Sequence, residues 1–187
     1  KLDSKLGKGN IVPPETDAMM QYSARQGSRH ELYFLSTLQE HYGKENVFIV
    51  SDEDLPKDLP RLEKLNTMDA RTADALKEQL PVVFQASFFD GKYTGFADFL
   101  EFVEIDGVWA YQVLDTKLAL SDKLHVYDLQ LASYARHLKR LGIPVHETAS
   151  LVHGNLKEST YYLPDIYSRL DLNLDRLNKV EEERRAD

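Results

Sequence analysis

The run VVFQASFFDGKYTGFADFLEFVEIDGVWAYQVLDTK, residues 82–117, decides how this chain folds. It divides at Asp90-Gly91 and Asp106-Gly107 into three segments rich in aromatic and β-branched residues, 82–89, 92–105 and 108–118. Asp-Gly between such segments is the strongest short-range hairpin signal, because the tight turn needs φ > 0 at both central residues. The stretch therefore predicts a three-strand antiparallel meander. Alternation puts Tyr111, Val113, Asp115 and Lys117 on one face of the third strand, and Asp98 joins them if the register allows. Two carboxylates beside a lysine can hold a divalent cation and a water against a phosphodiester. On spacing alone, Asp115 and Lys117 read equally as an edge-strand ion pair that contributes little to stability. Asp-x-Lys also occurs at Asp3-Ser4-Lys5 and Asp90-Gly91-Lys92, so the tripeptide alone is weak.

Working outward, residues 1–15 read as a flexible arm. A helix is expected over 16–42, broken near Gly27 and ended by Gly43. A short strand follows at Val47–Val50, then a loop rich in Asp and Pro over 51–62, which is not a calcium loop because Pro56 and Pro60 interrupt it. A helix over 67–80 stops at Pro81. Beyond the meander, Ser121-Asp122 can cap a helix running to Leu141, closed by Gly142. Strands at 145–153 and 158–163 and a last helix from Pro164 complete the domain over 16–178. Residues 179–187 read as a charged helix end or linker. The expected helical core stripes are Leu32, Leu35 and Leu38 early, and Leu124, Leu131, Ala135 and Leu138 late. Trp109 and the meander's Phe84, Phe88, Phe96, Phe99 and Phe102 are expected mostly in the core.

Composition bounds the chemistry. With 187 residues, 42% hydrophobic and 29% charged, the chain suffices for one domain with a real core. The absence of cysteine excludes disulfides, thiolate zinc sites, iron–sulphur clusters and thiol nucleophiles. No stretch approaches a membrane span and no signal peptide is visible, which points to a cytoplasmic protein. The chain opens with Lys1 and not Met, as an excised domain would. The net charge of −8 disfavours non-specific nucleic-acid binding. Locally, Lys117 to Arg140 carries five basic residues against two acidic ones. His41, His125, His137, His146 and His153 form no metal-binding spacing.

The order helix, meander, helix, strand resembles the core of the restriction-endonuclease-like fold, a three-layer α/β/α arrangement with a mixed central sheet. Five ordered segments carry a closer resemblance: Gly27-Ser28-Arg29-His30-Glu31, Gln85-Ala86, Gly95-Phe96-Ala97-Asp98, Asp115-Thr116-Lys117 and Leu129-Gln130-Leu131-Ala132-Ser133-Tyr134. Over about Gly27 to Leu170 the chain resembles RecB-like nuclease domains of the PD-(D/E)XK superfamily. Ala97 stands where the wider family has proline. The resemblance implies a metal-dependent nuclease acting on DNA in repair, recombination or processing, with a helicase domain or subunit as neighbour. No phosphate loop of the Gly-Lys-Ser/Thr type occurs in this chain.

By that resemblance, His30, Asp98, Asp115 and the backbone carbonyl of Thr116 hold Mg²⁺ or Mn²⁺. Asp98, Asp115, Lys117, Gln130 and Tyr134 are catalytic, with Lys117 positioning the attacking water. Gln130, Tyr134 and Arg136 contact nucleic acid. Glu31 and Gln85 are secondary candidates. Each residue has a plainer reading. His30 reads as a helix-face histidine satisfied by a neighbour, and Gln130 and Tyr134 as a partly buried polar pair at i, i+4. Arg136 reads as plain surface. The alternative for the whole chain is a catalytically silent domain of nuclease fold that binds nucleic acid or a partner in a larger helicase–nuclease assembly.

Overall fold

The computed structural model describes residues 18–120 and 127–186. The elements run α1 (Ala18–Tyr42), a 3-10 turn (Lys44–Asn46), β1 (Val47–Ile49), α2 (Arg61–Lys77), β2 (Val82–Phe89), β3 (Thr94–Ile105), β4 (Val108–Lys117), α3 (Asp128–Arg140), β5 (Val145–His153), β6 (Glu158–Tyr162) and α4 (Pro164–Ala186). The six strands lie in one sheet in chain order. β1–β2 and β4–β5 are parallel and the other pairs antiparallel. Leu35 and Leu38 of α1 pack on Val82, Phe84, Phe99 and Leu114. Leu76 of α2 and Leu131 and Leu138 of α3 pack on Val83, Phe88, Leu100 and Val113. The fold is therefore three-layer α/β/α around a mixed sheet, as the meander predicts, and it is consistent with restriction-endonuclease-like architecture in general. Among the described residues, no helix is long and apolar enough to cross a membrane.

The two Asp-Gly turns differ. Asp106 and Gly107 both take positive φ, 52° and 77°, and close Ile105 against Val108 as a tight hairpin. At the first turn Gly91 alone has positive φ. There Asp90 instead accepts the backbone N–H groups of Lys92 and Tyr93 on its carboxylate at 2.9 and 2.7 Å. The side chain does what the backbone does in the tighter form, and the loop is longer.

Several boundaries shift. α1 runs through Gly27 without a break, because burial of His30, Leu35 and Leu38 on one face outweighs a mid-helix glycine's cost of about 1 kcal/mol. β1 ends at Ile49, one residue early. α2 starts at Arg61 and not Thr67. Pro60 sits just ahead of its first turn, where a missing N–H costs nothing, and its carbonyl accepts the Lys64 N–H at 3.0 Å. α2 ends at Lys77 because Gln79 takes the left-handed conformation (φ 54°) that glycine usually supplies. The expected helix start at Thr16, the cap at Ser121-Asp122, Leu124 and the arm at 1–15 lie outside the described residues. Three residues expected in the core are exposed: Leu32 at 57%, Trp109 at 57% and Phe96 at 44%.

Candidate active site

β3 and β4 form a fork. They pair from Ile105↔Val108 only as far as Phe99↔Leu114. Beyond that point β3 stays with β2 out to Thr94, and β4 stays with β5 out to Lys117. Asp98 and Asp115 are the first residues past the last pair, one on each tine. The divergence has a local cause on β2. Gln85 has φ 55°, and the pleat inverts there. Val82 and Phe84 pack with α1, whereas Ala86 and Phe88 pack with the α2 and α3 side, although residues two apart on a strand ordinarily share a face. β3 inverts in step, since Ala97 and Phe99 also belong to opposite sides. Asp98, between them, is turned along the sheet toward β4. Its Oδ2 accepts the Thr116 backbone N–H at 2.8 Å and the Thr116 hydroxyl at 2.9 Å. A carboxylate thus closes the ladder where a backbone carbonyl no longer reaches.

Asp115 is fully buried. Among the described residues neither of its oxygens accepts a hydrogen bond of good geometry, and Lys117 Nζ closes on Oδ2 as an ion pair. Burial and then the negative charge of Asp98 push its carboxyl up to about 7, with Lys117 opposing. Lys117 also lies over the Tyr127 ring, 5.3 Å from its centre.

α1 and α3 approach the fork. On α1, Glu31 accepts a hydrogen bond from the Gln85 amide. Its carboxyl is raised by burial and by Asp98, and lowered by Gln85 and Lys117. Glu31, a secondary candidate by sequence, is therefore within the electrostatic field of Asp98 and Lys117. Its spacing to Leu35 and Leu38 (i, i+4, i+7) places all three on one helix face. The stripe read through Leu32 hid that, and Leu32 is the exposed one. His30, buried on the same helix, has Nε2 3.4 Å from the carbonyl oxygen of Val152. Val152 is the β5 partner of Thr116. His30 thus reaches the neighbouring strand, and its contact among the described residues is backbone and not a carboxylate.

On α3, the Gln130 amide donates to the Tyr134 hydroxyl at 2.6 Å. Burial pushes the Tyr134 phenol up to about 12, with Asp115 and Asp98 adding to that and Gln130 lowering it. Tyr134 therefore stays neutral and faces the acids. Gly95 allows this approach, since a Cβ there would sit 3.1 Å from Tyr134 Cε1. Arg136 points elsewhere and pairs with Asp171 of α4. Of the candidates, the fold brings together Asp98, Thr116, Asp115, Lys117, Glu31, Gln85, Gln130 and Tyr134. It leaves His30 one strand away and Arg136 on the α3–α4 surface.

Contacts that spacing did not reveal brace the tines. His153 Nδ1–H donates to the Ala119 carbonyl at 3.0 Å and its Nε2 accepts from the Ser159 hydroxyl at 2.7 Å. Gly154 packs so closely that a Cβ would lie 2.6 Å from the Leu118 carbonyl oxygen. The chain leaving Lys117 is held against the β5–β6 turn. Among the described residues no three His, Asp or Glu side chains converge as a ready-made metal cage. No family model matches the sequence, and no curated protein matches it significantly.

Proposed function

We propose that the fork is the active site of a Mg²⁺- or Mn²⁺-dependent nuclease that hydrolyses DNA phosphodiester bonds, of the RecB-like PD-(D/E)XK kind. The observation that carries this reading is the burial of Asp115 beside Asp98 at the point where β3 and β4 part. A buried carboxylate whose partner among the described residues is the Lys117 ammonium, with a second acid next to it, is an arrangement that a cation would relieve. Asp98, Asp115 and the Thr116 carbonyl offer hard oxygen donors suited to these ions, and His30 would add nitrogen if it left Val152. A divalent ion bound there supplies Lewis-acid polarisation of the phosphate and acidifies water. With a cation held by Asp115, Lys117 would be free to orient the nucleophile and offset charge on the phosphate. Neutral Tyr134 and Gln130 can donate hydrogen bonds to the strand.

A second reading is a catalytically silent domain of the same shape that binds nucleic acid or a partner such as a helicase subunit. Lys117 already neutralises Asp115, and His30 and Glu31 already have partners. This reading requires no side chain to move, and in that respect the arrangement fits it better than the hydrolytic one.

Cleavage of end-labelled single- and double-stranded DNA with Mn²⁺, Mg²⁺ or EDTA separates them. Metal-dependent cleavage that Lys117→Ala abolishes supports the nuclease. No cleavage of either substrate with either metal leaves the binding domain.

A further inference from the structure

α3, α4 and the β2–β3 turn enclose a cavity of about 430 Å³, a size usual for small-molecule sites. None of Glu31, Asp98, Asp115 or Lys117 lines it, so it is a separate place from the fork. His137 reaches it from α3. The imidazole is 7% exposed and lies flat on the Phe88 ring, with centroids 5.2 Å apart and planes 5° apart. It makes no hydrogen bond or ion pair among the described residues. The other buried histidines among them, His30, His146 and His153, each meet a backbone carbonyl. Burial lowers the His137 pKa, with Asp90 opposing, so at pH 8 the ring is neutral and offers an acceptor nitrogen. A buried polar ring without a protein partner, on the wall of a cavity, points to a partner from outside the chain.

Charge says which kind. The cations at this cavity are already matched. Arg136 pairs with Asp171, Arg140 with Asp69, and Lys92, in the adjoining turn, with Glu181. Two carboxylates on the cavity wall remain, Asp175 and Asp90. Asp175 of α4 has no ion pair or hydrogen bond among the described residues. Asp90 commits one oxygen, Oδ1, to the Lys92 and Tyr93 N–H groups. Burial raises the Asp90 carboxyl, and these N–H groups more than offset that, so it stays charged. The two acids come from different elements, the turn and α4, and Leu174 and Tyr93 line the same cavity with apolar surface.

We propose that this cavity binds a short aliphatic diamine, with one ammonium on Asp175, the other on Asp90, and the His137 ring accepting a hydrogen bond from one of them. The alkyl chain lies along Leu174 and Tyr93. Ammonium donors to carboxylates and to a neutral imidazole are charge-assisted and complete the groups that the fold leaves open. The proposal does not depend on the reading of the fork.

Isothermal titration of the whole chain with 1,4-diaminobutane, in EDTA at pH 8 and fixed ionic strength, tests it. One-to-one binding is expected, about tenfold tighter than that of butylamine, which offers a single ammonium. Asp175→Asn should weaken it about tenfold. Asp58→Asn, the same change at an exposed residue outside the cavity, should leave it unchanged. In proton–nitrogen NMR spectra of the imidazoles, the His137 signals should shift with ligand and those of the exposed His41 should not. Thermal unfolding confirms that each variant is folded. No binding, equal weakening by Asp175→Asn and Asp58→Asn, or an unmoved His137 overturns the proposal. Binding of Nα-acetyl-lysine amide as tight as that of the diamine also overturns it, and assigns the cavity to a lysine of a partner protein. DNA cleavage with Mn²⁺ is read separately, so the diamine site and the nuclease stand or fall apart.

Discussion

Asp98 accepts the backbone N–H of Thr116 at 2.8 Å and its hydroxyl at 2.9 Å, so the side chain of one strand completes the hydrogen bonding of the next at the point where they separate. The acid is structural before it is anything else. Asp98→Ala strands a buried N–H and should cost about 1–3 kcal/mol in urea unfolding. Asp98→Asn keeps an acceptor there and should cost less. Equal losses for the two would show that the carboxylate does not close the ladder.

Asp115 makes the metal-free protein sensitive to pH. Burial raises its carboxyl from 3.8 to about 7, so between those values the folded chain holds a proton that the unfolded chain has released. Stability therefore falls as pH rises through that window, and the loss is complete above it. Asp115→Asn should flatten this dependence and, in EDTA at pH 8, stabilise by about 1 kcal/mol, or roughly 2–4 °C in a chain of this size. A melting curve series from pH 4 to 8 checks both. A parent whose stability rises across the window contradicts the assignment.

Under the nuclease reading, Mn²⁺ or Mg²⁺ binds the folded chain and not the unfolded one. At a hundred times the dissociation constant this adds about 2.7 kcal/mol. Asp115→Ala should abolish the gain, and Lys117→Ala should keep it. Differential scanning fluorimetry with and without EDTA reads the difference.

Two glycines should respond oppositely to a methyl group. Gly27 has nothing within 4 Å of an added Cβ, so Gly27→Ala in the middle of α1 should stabilise by about 0.5–1 kcal/mol. Gly95→Ala would bring a Cβ within 3.1 Å of the Tyr134 ring and should cost about 1–3 kcal/mol. It should also displace the hydroxyl that Gln130 holds. Under the nuclease reading Gly95→Ala therefore loses activity beyond its loss of stability, with cleavage compared below both melting points.

The meander, the layers and the meeting of Asp98, Asp115 and Lys117 at the meander's end were legible in the sequence. Asp-Gly turns and alternating apolar residues are local signals, and local signals fix strands, turns and which residues follow one another on a face. Even so, the first turn shows how far locality goes. Asp90 uses its side chain and not its backbone to turn the chain, and residue type alone does not choose between the two.

Relations that depend on two distant segments were settled only by the assembled fold. The positive φ of Gln85 inverts the pleat of β2 and β3 and turns Asp98 toward Thr116, and no spacing in the sequence announces that inversion. That Glu31 bonds Gln85 within the field of Asp98 while His30 meets the Val152 carbonyl rests on the rotation of α1 about its axis, which the burial of Leu35 and Leu38 sets and the exposed Leu32 does not. Phe96 fits any core by type and is exposed because of where the fork places it. Sequence by itself determined which elements form and which chemical groups they carry. Tertiary structure alone decided which of those groups meet, because contacts between separate elements, 18 residues apart for Asp98 and Thr116 and 54 for Glu31 and Gln85, are set by sheet divergence and helix rotation, and neither leaves a periodic trace in the chain.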